Sequence, residues 1–295
     1  MPMKLKYFYL AGYVDGDGCF FLQKIEHLNK YRAKLIVSST NKEILLFFQQ
    51  TFKGFIQKQK VYKANFKPQF HWYINGINAL ELLNNFKYYL IERDVEALLF
   101  ARFIQTRDKQ FKDQIRNFMT NHRNFNKHIT KEIFEDIKST QFKNNFTEED
   151  AAYLAGFIDA ECCLGISKYK KPKSANFIYK IILSCNNTSP NIFYWFMEKI
   201  GGSVCFIPRN EKNPKHKNQI NWNISGNKLY EILLKVHPFI RSKKEVCEKL
   251  MEFYQLTLEN GGDRQSEEFK ASYLKIISQK ERIVDIVHFL NSKGQ

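Results

Sequence analysis

Two short acidic stretches carry the residue types from which chemistry can be built. They are Asp-Gly-Asp-Gly at Asp15–Gly18 and Asp-Ala-Glu-Cys at Asp159–Cys162, each separated by two residues from a preceding Leu-Ala-Gly triplet. A carboxylate at the C-terminal end of a helix gains nothing from the helix dipole, so acids placed there call for a compensating cation. Paired acids suit Mg²⁺, a hard ion that takes a few carboxylate or carbonyl oxygens and keeps several waters, leaving room for substrate phosphates. That is the chemistry of phosphodiester hydrolysis, in which metal ions activate water and stabilise the leaving oxygen. One such stretch alone reads as helix-end acids in a tight turn; two copies behind the same triplet favour a site built from Asp17 and Glu161. Asp15 and Asp159, two residues earlier on the helix, point roughly 200° away and belong to stability or capping.

The elements that must position these acids repeat. YLAGYVDGDGCF (Tyr9–Phe20) returns as YLAGFIDAECCL (Tyr153–Leu164), and WYINGINALELL (Trp72–Leu83) returns as WNISGNKLYEILL (Trp222–Leu234). The spacing of the second match also pairs Arg93 with Lys243 and Gln105 with Gln255. Each unit spans about 100 residues, the size of a small domain rather than of a solenoid repeat. In the first unit, a short helix ending near Asp17 leads into strands around Cys19–His27 and Arg32–Ser39. A helix over Asn41–Phe52 follows, then strands over Gly54–Tyr62 and Gln69–Asn75, then helices around Asn78–Phe86 and Glu92–Gln105. The second unit gives the same order, with a longer turn-rich loop from Ile207 to Gln219.

The division expected is an N-terminal unit over 1–106, a basic linker over 107–146 and a C-terminal unit over 147–295. The linker is rich in Asn, Lys, Phe and Arg and has helical spacing at Ile133, Phe134 and Ile137. It either packs on the surface and touches nucleic acid or hangs as a solvated tether. Ala11 and Gly12, matched by Ala155 and Gly156, are small enough for two helices to approach closely. Two such helices packed about a pseudo-twofold axis bring their C-terminal ends, and with them Asp17 and Glu161, to opposite sides of that axis.

Composition narrows the partner. Lys plus Arg exceed Asp plus Glu by 46 to 30, for a formal charge of +16 and a pI near 9.4, which points to a polyanion. No run of about 18 apolar residues offers a membrane span, and the N-terminus lacks the apolar stretch of a signal peptide, so an intracellular protein with no membrane partner is expected. The six cysteines show no CxxC pairing and no histidines at zinc spacing, which reads as reduced, mostly buried thiols.

LAGYVDGDG (Leu10–Gly18) and LAGFIDAEC (Leu154–Cys162) resemble the two signature helices of monomeric LAGLIDADG homing endonucleases, and the resemblance covers nearly the whole chain. It implies an α+β fold of two pseudo-symmetric αββαββα units, each with a four-stranded antiparallel sheet, together forming a saddle over the DNA major groove. It further implies an intron-encoded, site-specific DNA endonuclease acting as a monomer across the minor groove and leaving short 3′ overhangs. The target would be an asymmetric duplex of about 20 base pairs. Asp17 and Glu161 would bind the metal, with Gly16 and Ala160 beside them. Mg²⁺ is the expected cofactor, with Mn²⁺ as a substitute and Ca²⁺ supporting binding without efficient cleavage. The pattern departs at Cys162, where Gly18 would lead one to expect glycine; a side chain there costs about 1 kcal/mol if the turn needs glycine's backbone freedom.

Arg93 and Lys243 resemble the family's active-site basic residue, able to stabilise developing charge or help deprotonate water; a surface role is the other reading. Alternate side chains on a strand share a face and can read base edges. In the first unit Gln23, Lys30, Arg32, Lys34, Gln57, Gln59, Lys60 and Gln69 are suited to that, and in the second Lys168, Lys170, Lys180, Arg209, Lys217 and Asn223. A basic surface serves A-form RNA as well, so a maturase acting on its own intron RNA and a non-catalytic DNA-binding regulator are the alternatives. The location implied is at DNA, in an organelle or in a bacterial or phage cytoplasm.

Overall fold

The computed structural model describes residues 1–59, 68–125, 129–170, 177–209, 217–258 and 267–292. The first unit runs α1 (Met3–Asp17), β1 (Gly18–Ile25), β2 (Lys30–Ser39), α2 (Lys42–Phe52), β3 (Phe55–Lys58), β4 (Phe70–Asn75), α3 (Gly76–Phe86) and α4 (Asp94–Gln105). Two helices follow, α5 (Lys109–Phe125) and α6 (Lys131–Ser139). The second unit repeats the order with α7 (Glu148–Ala160), β5 (Cys163–Lys170), β6 (Phe177–Asn187), α8 (Asn191–Lys199), β7 (Ser203–Ile207), β8 (Gln219–Ser225), α9 (Gly226–Val236), α10 (Lys244–Leu258) and α11 (Glu267–Ser292). Both sheets are antiparallel, ordered β1-β2-β4-β3 and β5-β6-β8-β7. No described helix is long and apolar enough to cross a membrane.

Alternation builds each sheet. Phe20, Leu35, Val37, Trp72 and Ile74 turn to one side of the first sheet and are buried, as are Leu164, Ile166, Ile181, Leu183 and Trp222 in the second. Helices cover these faces and leave the opposite ones open. Each tryptophan anchors its sheet in the same way: the Trp72 indole N–H donates to Lys53 O and that of Trp222 to Gly201 O, both at 2.7 Å. The backbone must pass close to each ring, which explains the glycines beside them. Gly54 and Gly202 have φ of +89° and +104°, and a Cβ there would stand 2.8 and 2.7 Å from the indole nitrogen.

α5 packs on the helix-covered side of the first sheet and α6 on that of the second. Ile115 and Met119 of α5 are buried, and Asp113 meets Lys24 and Tyr31 at 3.0 Å. In α6, Ile137 is buried, Phe134 packs on Phe206 at 5.6 Å, and Asp136 accepts a hydrogen bond from the Tyr194 hydroxyl. α11 holds the corresponding place on the second sheet, where Asn291 donates to Leu164 O at 3.0 Å.

Candidate active site

α1 and α7 pack against each other at the centre of the molecule, and the small residues set the separation. A Cβ on Gly12 would lie 2.0 Å from Tyr153 O, and one on Gly156 would lie 2.0 Å from Tyr9 O, so any side chain at either position drives into the facing backbone. The same closeness holds at the helix ends, where a Cβ on Gly16 would be 2.5 Å from Cβ of Ala160 and 3.4 Å from Cβ of Glu161. Asp17 is the last residue of α1, Glu161 the first beyond α7, and both side chains reach solvent. The two motif acids therefore emerge beside each other where the units meet.

The departure at Cys162 has a steric rather than a conformational basis. Gly18 has an ordinary φ of −83°, so backbone freedom is not what it provides; a Cβ there would strike Val14 O at 2.5 Å. In the second unit the helix ends one residue sooner by motif alignment, at Ala160, and Cys162 has room to be buried. Cys185 and Cys247 are buried as well, whereas Cys163 and Cys205 are exposed. Their odd numbers put them on the open face of their strands, opposite Ser184 and Asn221, which corrects the expectation that the thiols are mostly buried.

Asp15 and Asp159 turn inward. Asp15 accepts from the backbone N–H of Ile91 (2.7 Å) and Arg93 (3.0 Å) and from the Tyr153 hydroxyl (2.6 Å). Asp159 accepts from the N–H of Arg241 (2.7 Å) and Lys243 (2.9 Å), from Ser242 Oγ (2.8 Å) and from the Tyr9 hydroxyl (2.6 Å). Burial pushes the Asp15 carboxyl up to about 6 despite these donors.

Arg93 and Lys243 lie behind the helix ends. Arg93 Nε donates to Val14 O at 2.9 Å, and its Nη1 stands 3.5 Å from the Glu96 carboxylate. Lys243 Nζ donates to Ile158 O and Cys162 O, both at 2.6 Å. Each cation thus caps the C-terminal carbonyls of its own unit's central helix, where positive charge is favoured. Their fields reach the acids. Desolvation by the surrounding protein pushes the Asp17 carboxyl up to about 6, against the pull of Lys243 first and Arg93 second. On the other side of the axis, Arg93, Glu96, Gly16, Glu161, Asn186 and Gln219 line a cleft of about 650 Å³.

The donor set fits a hard divalent ion rather than a caged one. Among the described residues no group of three or more His, Cys, Asp and Glu gathers that could hold a metal. Two carboxylates at the touching helix ends suit a hard divalent cation that takes few protein oxygens.

The register sorts the expected base-reading residues. Gln23 pairs with Arg32, Ile25 with Lys30 and Phe21 with Lys34; Gln57 pairs with His71, and Gln59 N–H donates to Gln69 O. Gln23, Lys30, Arg32, Lys34, Gln57, Gln59 and Gln69 therefore share the open face of the first sheet. Lys60 lies outside the described residues. In the second sheet Lys180, opposite Ser167, and Asn223, opposite Ser184, are on the open face. Arg209 and Lys217 lie just past the last β7–β8 pair, Ile207 and Gln219.

Lys168 and Lys170 are corrected. They alternate with Leu164 and Ile166 and so share the helix-covered side; Lys168 sits over the Tyr179 ring at 5.3 Å, within the field of Glu281 and Asp285 on α11. Residues not singled out from the sequence also stand on the open faces, among them Phe21, His71 and Tyr73 in the first sheet and Asn186 and Asn221 in the second. Stepping one residue from the buried Trp72 and Trp222, onto the opposite face of the strand, finds His71, Tyr73 and Asn221.

This architecture is the fold of the monomeric, two-unit LAGLIDADG homing endonucleases. Scans against family models and curated proteins return no match. Solved structures do. A double mutant of I-SmaMI superposes with a TM-score of 0.63 at 14% identity, over 95% of this chain and 97% of that one. The I-LtrWI LAGLIDADG homing endonuclease bound to target DNA gives 0.62 at 15%, over 93% and 97%. The LAGLIDADG meganuclease I-AabMI bound to uncleaved DNA gives 0.58 at 16%, over 92% and 97%.

Proposed function

We propose that this protein is a site-specific endonuclease that hydrolyses both strands of an asymmetric DNA duplex as a monomer. The observation that carries the reading is the emergence of one acid from each unit, Asp17 and Glu161, at helix ends that touch, between two sheets whose open faces carry Gln, Lys, Arg and Asn side chains. Structural neighbours support it, since I-SmaMI was captured with uncleaved DNA in the presence of calcium ions and also with cleaved DNA.

Asp17 and Glu161, with the main chain at Gly16 and Ala160, would hold divalent cations, Mg²⁺ in the working enzyme, with Mn²⁺ replacing it and Ca²⁺ permitting binding with little cleavage. When bound, the ions supply an activated water and stabilisation of the leaving oxygen. The chain's own residues do the rest. The close packing at Gly12 and Gly156 fixes the distance between the acids. Lys243 and Arg93, with their head groups donating to carbonyls, lend positive charge to the site rather than taking up a proton. Gln23, Arg32, Lys180 and Asn223 face base edges, while most lysines meet phosphates.

The test is cleavage of a randomised duplex library by the purified protein. Cutting is expected in Mg²⁺ and Mn²⁺, retention without cutting in Ca²⁺, and binding but no scission in excess EDTA. Efficient scission in EDTA, or two chains on each cleaved duplex by light scattering, would defeat the proposal.

A further inference from the structure

The hydrogen bonds of Asp15 and Asp159 do more than fix helix ends. Each carboxylate holds the loop that carries its own unit's cation: Asp15 binds the N–H of Ile91 and Arg93, and Asp159 binds that of Arg241 and Lys243. Each is also completed by a hydroxyl from the opposite unit, Tyr153 on Asp15 and Tyr9 on Asp159, both at 2.6 Å. Tyr9 and Tyr153 are also the residues whose carbonyls face Gly156 and Gly12 across the helix pair. The helix contact, the hydroxyl, the carboxylate and the cation loop are thus joined by one continuous set of contacts.

From this geometry we infer that Tyr153 and Tyr9 are positioning residues for the opposite unit's cation, so that each strand's cleavage depends on a hydroxyl supplied by the other half. The inference rests on the endonuclease reading and deepens it. A buried tyrosine hydroxyl needs an acceptor, but stability alone would be served by any carbonyl. Here both hydroxyls choose the carboxylate that sets where Arg93 or Lys243 stands. The chain Tyr153–Asp15–Arg93 leads to the cleft lined by Glu161, and Tyr9–Asp159–Lys243 leads to the cation whose Nζ donates to the carbonyls of Ile158 and Cys162 on either side of Glu161.

The two relays are unequal. Asp159 has a second side-chain donor, Ser242 Oγ at 2.8 Å. At the matching position the first unit has Glu92, whose carboxylate turns away to accept the N–H of Ile192 at the start of α8. Loss of the Tyr9 hydroxyl is therefore buffered by Ser242, while loss of the Tyr153 hydroxyl is not.

The experiment measures single-turnover nicking of each strand separately. It uses a duplex recovered with the wild-type protein and labelled on both strands, for wild type, Tyr153→Phe, Tyr9→Phe, Arg93→Ala and the Tyr153→Phe/Arg93→Ala double variant. Tyr153→Phe should slow one strand about tenfold, the scale of a lost hydrogen bond to a charged group, and Tyr9→Phe should slow the other strand by about threefold. Affinity in Ca²⁺ should be unchanged in both. In the Arg93→Ala background, Tyr153→Phe should add less than about twofold, because both act through one group. Slowing of both strands in the wild-type ratio, unchanged rates, or additive effects in the double variant overturn the inference. A variant that fails to fold also overturns it, by assigning the hydroxyl to stability. If wild type cuts no duplex, the endonuclease reading itself fails and takes this one with it.

Discussion

Removing the charge of Asp17 or Glu161 while keeping its shape separates chemistry from binding. Asp17→Asn and Glu161→Gln are each expected to reduce turnover by at least about 10²-fold on one or both strands, the scale of losing a principal electrostatic group. DNA affinity should hold or rise, since a negative charge near phosphates has gone. Asp15→Asn should act differently. Asp15 is buried under three donors, and an amide NH₂ turned toward any of them leaves a buried donor unmet, at a cost of about 2 kcal/mol. Parallel cleavage, binding and thermal melting of the three variants decide this; wild-type cutting by Asp17→Asn would mean the acids are misassigned.

Between elements, the tightest constraint is the α1–α7 contact. Gly12→Ala or Gly156→Ala places a methyl about where the opposite main chain already stands, so the helices must separate. A loss of about 3 kcal/mol or more is expected in denaturant unfolding, whereas Gly76→Ala, with open space around the added Cβ but a φ of +51°, should cost only about 1 kcal/mol. Equal losses would show that the central contact is not tight. The central helices, the place of Asp17 and Glu161 at their ends and the four strands of each unit were legible in the sequence because each is a local pattern written twice. α6 was legible from Ile133, Phe134 and Ile137, but α5 was not, since Ile115 and Met119 are its few buried apolar residues amid Lys, Asn and Arg. Lys168 and Lys170 have the residue type of a nucleic-acid contact but the strand parity of the buried Leu164 and Ile166, and parity decides the face. The Tyr153–Asp15 and Tyr9–Asp159 pairs join residues far apart in sequence, and no local pattern reports such a contact. The short turn before Cys162 depends on where α7 stops, which the motif alignment alone does not give.

At the scale of the whole molecule, charge and protons connect the halves. Glu92 of the first unit binds the start of α8 in the second, and burial pushes its carboxyl up to about 7. A folded-state pKa above the unfolded value means the folded chain holds the proton more tightly. The stability from this group is therefore full below about 4.5 and is lost as pH rises through about 7. Metal-free melting temperatures should fall over that window, and Glu92→Gln should flatten the fall; an unchanged slope would remove Glu92 from the linkage. The two open faces also differ in charge. The first sheet presents Lys30, Arg32 and Lys34 on one strand, while the open face of the second presents Lys180 among Ser184, Asn186, Asn221 and Asn223. Each phosphate contact contributes a slope of about −0.9 to log K against log salt. Lys30→Ala/Arg32→Ala/Lys34→Ala should therefore flatten the dependence by about two to three units, less whatever part Arg32 spends on a base. Lys168→Ala/Lys170→Ala, on the helix-covered side, removes two positive charges to the triple variant's three and should leave the slope within about half a unit of wild type. Titrations in Ca²⁺ at several salt concentrations make the comparison. If the Lys168/Lys170 variant flattens the slope as much as the triple variant does, DNA does not lie along the open faces, and the assignment of base-reading residues by strand parity fails with it.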